Sequence, residues 1–212
     1  MKLVRGSDFA STIAWDSNGY NDWSNASLKT YLNGTYLEGL SATAQSQIED
    51  AIYYLGGFQW NDSTSTEQIY IYERGTETCV TTGNCSGGTR STSWEGKVAL
   101  MYPSDMYMTY AKTEGVGCYN QPMSSSVCGA TNGVYSWIYN TNKLENGSSY
   151  HGPWLLSPGS SSARSVFFGD SSYLNYNSAI YPGSGGRPVV YLKSDIKIDG
   201  GNGEEGNPYV LK

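Results

Sequence analysis

The chain holds one histidine, His151, and four cysteines, so nucleophilic chemistry of the Ser–His or Cys–His kind has a single imidazole to draw on. His151 lies in SSYHGPW, a Gly/Ser-rich stretch beside Trp154, where a loop residue packing near the indole is expected rather than the base of a triad. Paired carboxylates are the other route to bond-breaking. Glu73, Asp105, Asp170 and Asp195 could supply a glycosidase-type acid and nucleophile, but acids scattered over any surface provide such sets. Oxygen ligands for a cation are offered by DSNGYND, with Asp16, Asn18 and Asp22 at near-alternate positions. An EF-hand places a Glu at the twelfth position of its loop; here that position is Ser27, and a turn leading into a helix explains the same residues. IDGGNGEEGNPY, residues 198–209, is equally oxygen-rich and reads as a Gly-rich hairpin connection. No catalytic residue and no resident cofactor is therefore implied, with calcium left as an open alternative.

The cysteines fall in two close pairs, Cys79/Cys85 and Cys118/Cys128, each inside a Gly/Ser/Thr-rich loop. Three connectivities exist, and local pairing, which closes two short loops, is the simplest. Zinc would call for tighter Cys spacing or neighbouring histidines. Disulfides are expected, and with them an oxidising compartment.

A different chemistry is written in WLLSPGSSSARSVFFGDSSYLNYNSAIYPGSGGRPVVYL, residues 154–192. Two apolar ends enclose a span of Ser, Gly, Asn and Tyr. These are the types enriched in binding loops: Tyr gives a large amphipathic contact at small entropic cost, and small polar residues adapt their hydrogen bonds. The bland alternative is a solvated loop whose tyrosines lie flat over the core. Length and composition favour binding.

The elements that must carry this span are few. Helices are expected only within residues 24–57: one capped by Ser24 with Leu28, Tyr31 and Leu32 on one face, and one capped by Ser41 with Ile48, Ile52 and Leu55 as its stripe, stopped by Gly56-Gly57. Strands are expected at Gln68–Glu73, Lys97–Tyr102, Trp154–Leu156, Ser165–Phe168, Pro188–Leu192 and Tyr209–Leu211, with weaker ones at Leu3–Val4 and Ile13–Trp15. KVALMY and VVYL read as strands covered on both faces. Segments 76–93, 112–135, 141–152 and 157–187 read as long loops, two of them tied by the cysteine pairs. The pattern predicts a single α+β domain over residues 1–212.

Composition agrees with a folded chain of unusual core chemistry. Among 212 residues there are 19 Tyr and 6 Trp, which supply buried area in place of scarce Leu and Ile. A net charge of −6 argues against a phosphate-binding surface and sets nucleic acid aside as a partner. MKLVRGSDFA has no apolar run behind its basic start, and no window approaches a membrane span, so membrane attachment is expected only through a segment absent from this chain. Five Asn-x-Ser/Thr sequons, at Asn25, Asn33, Asn61, Asn84 and Asn146, carry little weight in a chain so rich in these residues.

The order of WLLSP, a Ser/Tyr/Asn-rich span, GGRPVVYL and the tail DIKIDGGNGEEGNPYVL resembles the C-terminal part of C-type-lectin-like domains in bacterial surface and pilin-like proteins. NDWSNASLKTYLNGTYLEGLSATAQSQI and WEGKVALMYPSD resemble the matching earlier parts, so the likeness covers most of the chain. It implies two helices packed on a small twisted antiparallel sheet with long loops, with the N- and C-terminal strands close together. It makes Trp154 a core residue and has Arg187-Pro188 return the chain to the sheet, with Arg187 pairing with a carboxylate or loop carbonyls, and leaves Arg164, Phe168, Tyr173, Asn175, Tyr176, Asn177 and Tyr181 as the ligand-facing residues. It further implies an extracellular or cell-surface adhesin- or receptor-type module without enzymatic activity, binding a protein or glycan. Some members of the fold are variable proteins of diversity-generating retroelements, whose Asn/Tyr/Ser-biased variable region residues 159–181 resemble. The related formylglycine-generating enzymes use a cysteine pair near the C-terminal end, and no Cys here follows Cys128. The alternative role is a structural pilin or surface-fibre subunit whose Tyr-rich loops contact sister copies.

Overall fold

Three short apolar runs, KLV, VAL and PVVY, form the sheet at the centre of the molecule in a computed structural model that describes residues 1–6, 9, 11–59, 63–81, 84–108, 152–169, 174–202 and 206–212. The chain is α+β. In chain order its elements are β1 (Lys2–Val4), a 3-10 turn (Trp23–Asn25), α1 (Ser27–Tyr31) continued by a wider π turn (Leu32–Tyr36), α2 (Ala42–Gln47), β2 (Ala51–Tyr54), α3 (Thr66–Glu73), β3 (Cys79–Thr81), β4 (Asn84–Thr89), β5 (Ser93–Gly96), β6 (Val98–Leu100), α4 (Pro103–Met108), β7 (Pro153–Pro158), β8 (Ser165–Gly169), β9 (Leu174–Ser178), β10 (Gly185–Gly186), β11 (Pro188–Tyr191), β12 (Ile198–Gly200) and β13 (Val210–Leu211). The central sheet has the order β1-β11-β6, all antiparallel, with Leu3 opposite Val190 and Val189 opposite Ala99. A second sheet has the order β10-β7-β8-β9, and three two-stranded ribbons, β2-β5, β3-β4 and β12-β13, complete the strands among the described residues.

The core lies where the two sheets and α1 meet. Trp15, Trp23, Leu28, Leu32, Tyr53, the whole of β6, Trp154, Leu156 and Phe168 pack there, so large rings do replace aliphatic residues. Trp154 donates its Nε1 hydrogen to Ile13 O at 2.7 Å, and Trp15 donates to Leu155 O at 3.1 Å, which removes the cost of burying each indole N–H. Asn33 fastens the π turn that continues α1 to β6: its Nδ2 donates to Val98 O at 2.8 Å while its Oδ1 accepts from Val98 N at 3.0 Å. That use of the amide turns one sequon into a structural staple.

Local chemistry explains where the expected elements shift. The first helical turn is capped by Asp22, whose carboxylate accepts from Ser24 N, instead of by Ser24 itself. Ser41 caps α2 as expected, accepting from Ala44 N, but the helix ends at Gln47. Of the supposed stripe of Ile48, Ile52 and Leu55, Ile52 lies in β2 with the other two outside it, and within the strand Tyr53 points inward while Ile52 and Tyr54 point out, a period of two. The reverse correction applies to QIYIYE. It is helix α3, capped by Ser65 on Gln68 N, with Thr66, Ile69 and Glu73 on the buried face. Segment 76–93, expected as loop, contains the antiparallel pair β3-β4, with a disulfide between Cys79 and Cys85. Segment 157–187 contains β8, β9 and β10. Cys118, Cys128, His151, Asp170 and Tyr173 lie outside the described residues.

Trp154 is fully buried at the start of β7, and Arg187 is fully buried immediately before β11, where the chain re-enters the central sheet. The N-terminal strand β1 pairs with β11, and Leu192 N donates to Met1 O at 2.8 Å. No helix among the described residues is long and apolar enough to cross a membrane.

Candidate functional site

The 159–165 turn that opens the Ser/Tyr/Asn-rich span is held by the Asn21 side chain. Asn21 is buried, and its Nδ2 donates to Gly159 O, Ser162 O and Ser165 O at 2.8 to 3.0 Å, while its backbone N–H donates to Ala163 O. The two amide hydrogens are shared among three carbonyls of the 159–165 turn, which fixes the turn. Asn21 is placed in turn by Asp16, whose carboxylate accepts from Tyr20 N at 3.0 Å and Ser27 N at 3.1 Å. The carboxylate of Asp22 is occupied by Ser24 N and Asn25 Nδ2. The Asp16 and Asp22 carboxylates of DSNGYND thus cap backbone donors, and the Asn21 amide nitrogen pins a loop. Among the described residues no group of three or more His, Cys, Asp or Glu is placed to hold a metal ion.

Beyond the turn, β8 and β9 run antiparallel with Phe167 opposite Tyr176 and Phe168 opposite Asn175. Pleating sends the two pairs to opposite faces. Phe168 goes to the core, edge-on to Trp154 at 5.9 Å, so this expected ligand-facing residue is part of the frame. Phe167 and Tyr176 share the other face, edge to face at 6.3 Å. Phe167 then stacks on Phe58 at 4.3 Å, and Phe58 stacks on Tyr72 of α3 at 6.2 Å. Four rings form one row. Its middle members are buried, while its ends, Tyr176 and Tyr72, are 49% and 42% exposed.

Phe58 is held in the row by backbone pairing, with Ser160 N donating to Phe58 O at 2.9 Å and a parallel bridge to Gly159. Beside it opens a groove of about 610 Å³ lined by Gly57, Phe58, Gln59, Thr64, Ile71, Tyr72, Gly75, Glu77, Cys79, Arg90 and Ser160. Gly57 is required there, since a Cβ would fall 2.4 Å from Arg90 Nη2 and 2.6 Å from Pro158 O. Burial draws the Arg90 guanidinium down to about 10, outweighing the opposite pull of Asp22 and Glu77.

The remaining expected residues are placed as follows. Arg164 is exposed, its guanidinium carbon 4.9 Å from the centre of the exposed Tyr20 ring. Asn175 and Asn177 are half-buried, and their Oδ1 atoms accept from Tyr176 N at 2.8 Å and Ser178 N at 2.7 Å. Tyr181 is half-buried against the core, close over Gly183, where a Cβ would fall 2.2 Å from the ring. Arg164 and Tyr176 therefore face solvent, the asparagines shape the strand, and Tyr181 leans inward.

Of the acids weighed for catalysis, Glu73 and Asp105 come together at the N-terminus of α4. Asp105 accepts from Tyr102 N at 2.9 Å and pairs with Lys2, and Glu73 accepts from Ser104 N at 2.8 Å and from Ser104 Oγ. Both cap helix donors that would otherwise be orphaned. Burial pushes Glu73 up to about 8, over the opposing effect of Ser104 and Arg74. Asp195 is exposed, in the turn after β11.

Sequence reasoning missed Tyr72, Phe58, Arg90 and Asn21. Tyr72 carried a readable signal, because Ser65 followed three residues later by Gln68 is a capping-box pattern that marks a helix start. Arg90 and Phe58 become neighbours only through tertiary pairing. Comparison of the chain with protein-family models, curated proteins and solved structures finds no match.

Proposed function

We propose that the chain is an extracellular or surface-displayed ligand-binding module of adhesin or receptor type, with a C-type-lectin-like arrangement of its α+β elements. The observation that carries this reading is the row of rings from Tyr176 to Tyr72, exposed at both ends beside a groove. Rings locked by packing lose little entropy on contact, which is what a binding anchor requires. The disulfide in the β3-β4 pair fits an oxidising location. Residues 159–181 supply one end of the row and the turn beside it. If they form a diversified region, sister copies vary at Arg164, Asn175, Tyr176 and Asn177 and keep Phe167 and Phe168, and a reverse transcriptase gene with a near-identical template repeat lies nearby.

The test is retention of the intact chain on panels of immobilised oligosaccharides and surface proteins. A double Tyr72→Ala/Tyr176→Ala variant should lose about tenfold or more in affinity for whatever is captured, since good aromatic anchors are each worth about 2 kcal/mol. Unchanged capture with an intact circular dichroism spectrum rejects the site. A second reading, a fibre subunit, is favoured by the β12-β13 ribbon, which leaves Ile198, Tyr209 and Val210 exposed. Sedimentation equilibrium decides it: concentration-dependent self-association abolished by Ile198→Asp supports the subunit role.

A further inference from the structure

Among the described residues Arg90 is a buried cation that no ion pair includes. It is 6% exposed, its Nη1 donates to Val80 O at 3.2 Å, and its Nε has no hydrogen-bond partner. The two acids whose charge bears on it are engaged elsewhere: Glu77 accepts from Cys79 N at 3.0 Å, and Asp22 accepts from Ser24 N and Asn25 Nδ2. A desolvated guanidinium left this way is unfavourable unless something completes it. The same groove is lined by Ser160, 4% exposed, whose hydroxyl also has no partner. Two unsatisfied polar groups thus sit in the wall of a cavity that also presents the Tyr72 ring and Ile71.

The complementary ligand has one negative charge, because one guanidinium is available and Glu77, in the same wall, repels a polyanion. Its body is small, since about 610 Å³ is in the range of small-molecule pockets and holds one or two sugar rings. It is amphipathic, with one face of C–H groups to lie on the negative face of Tyr72 and hydroxyls for Ser160, Gln59 and Thr64. We propose that this groove binds an acidic sugar of the uronic-acid type, its carboxylate held by Arg90 and Ser160 and its ring on Tyr72. The proposal rests on the binding-module reading and names the ligand class of one end of that site.

The experiment is an NMR titration of the intact chain with three probes: D-glucuronate, D-glucose and the acyclic acid N-acetylglutamate amide. Glucuronate should bind about tenfold or more tightly than glucose, as a charge-assisted contact demands, and more tightly than the acyclic acid, with shifts at the Tyr72 and Ser160 amides. Arg90→Lys should weaken glucuronate about tenfold by removing the planar fork, and the exposed Tyr72→Ala should weaken it independently. Equal binding of glucuronate and glucose overturns the proposal, because the carboxylate is then not read. Equal binding of the acyclic acid also overturns it, pointing to an acidic protein side chain. Should Arg90→Lys fail to fold, the wild-type probe comparison and Tyr72→Ala still decide the matter. If glucuronate fails while the Tyr72/Tyr176 double variant still abolishes capture on the panels, the binding module stands and only the acidic-sugar assignment falls.

Discussion

The tyrosines of the central sheet and those of the ring row use the same side chain for opposite ends. Around β2, β6 and β11, Tyr53 is buried and its hydroxyl donates to Lys97 O at 3.2 Å, with Val189 O at 3.4 Å. Tyr102 is buried too, accepting from Tyr54 N at 2.7 Å and donating to Tyr54 O at 3.0 Å. Burial raises the pKa of both phenols far above its ordinary value. In the row, Phe58 and Phe167, which have no hydroxyl, take the interior positions, and tyrosine appears at the two exposed ends. A tyrosine inside this protein is thus a hydrogen-bonded strut, and a tyrosine at the rim is a ring fixed from behind with its outer surface unspent. Stability should therefore reside in the first set and recognition in the second.

The largest break in that division is expected at Trp154, which joins the two sheets. Trp154→Ala removes a fully buried indole and the bond to Ile13 O, and should lower unfolding free energy by about 3–5 kcal/mol in urea titration. A loss below 1 kcal/mol would mean the sheets do not share one core.

Next comes Glu73, whose effect on stability is one of pH. Its carboxyl is held up to about 8 in the folded chain by burial, whereas an unfolded Glu titrates near ~4.3. The folded state therefore binds a proton that the unfolded state has released. This contribution is full below the unfolded value, and is lost as pH rises toward 8. Glu73→Gln, which keeps the neutral form, should gain on the wild type by up to a few kcal/mol between pH 5 and 8.5, conditions of about the span of that shift. A gap that stays flat with pH would show that Glu73 is ionised throughout, held by Ser104 and Arg74.

Tyr102→Phe is smaller. It leaves Tyr54 N and O in a half-buried place without their partner, at a cost of about 1–3 kcal/mol, and the drop should be matched by faster hydrogen exchange at Tyr54.

The sequence made the division legible in part. The α+β class follows from capped helical stretches beside β-branched runs, and VVYL and KVALMY did become strands of the central sheet, with every residue of β6 buried. The errors arose where periodicity was ambiguous. QIYIYE has strand-forming residues and becomes a helix because Ser65 caps it and Glu73 is wanted at the start of α4. Ile48 to Leu55 offers a helical stripe on paper, yet Ala51 to Tyr54 pairs with Ser93 to Gly96 instead. The candidate site was half visible. Tyr176 and Arg164 announce themselves by composition, but Phe168 and Phe167 are adjacent and identical, and only the pairing register says which one faces the ligand side. Arg90 was not legible at all, since its significance is an unmade bond, and unmade bonds have no sequence signature.

The smallest stability effect is the sharpest test of the comparison. Tyr72 lies on the outer side of α3, where Ala is the better helix former, so Tyr72→Ala should change unfolding free energy by no more than about 0.5 kcal/mol. Tyr176 is on β9, the edge strand, and loses one edge-to-face contact with Phe167, so Tyr176→Ala should cost about 0.5–1 kcal/mol. Neither change approaches the loss expected at Trp154, although each removes a ring of similar area. The reason lies on the far side of each ring: Trp154 is contacted all round, whereas Tyr72 and Tyr176 are contacted only from within. If either rim variant unfolds as readily as Trp154→Ala, the row is structural packing that happens to reach the surface, and its ends have no area reserved for a ligand.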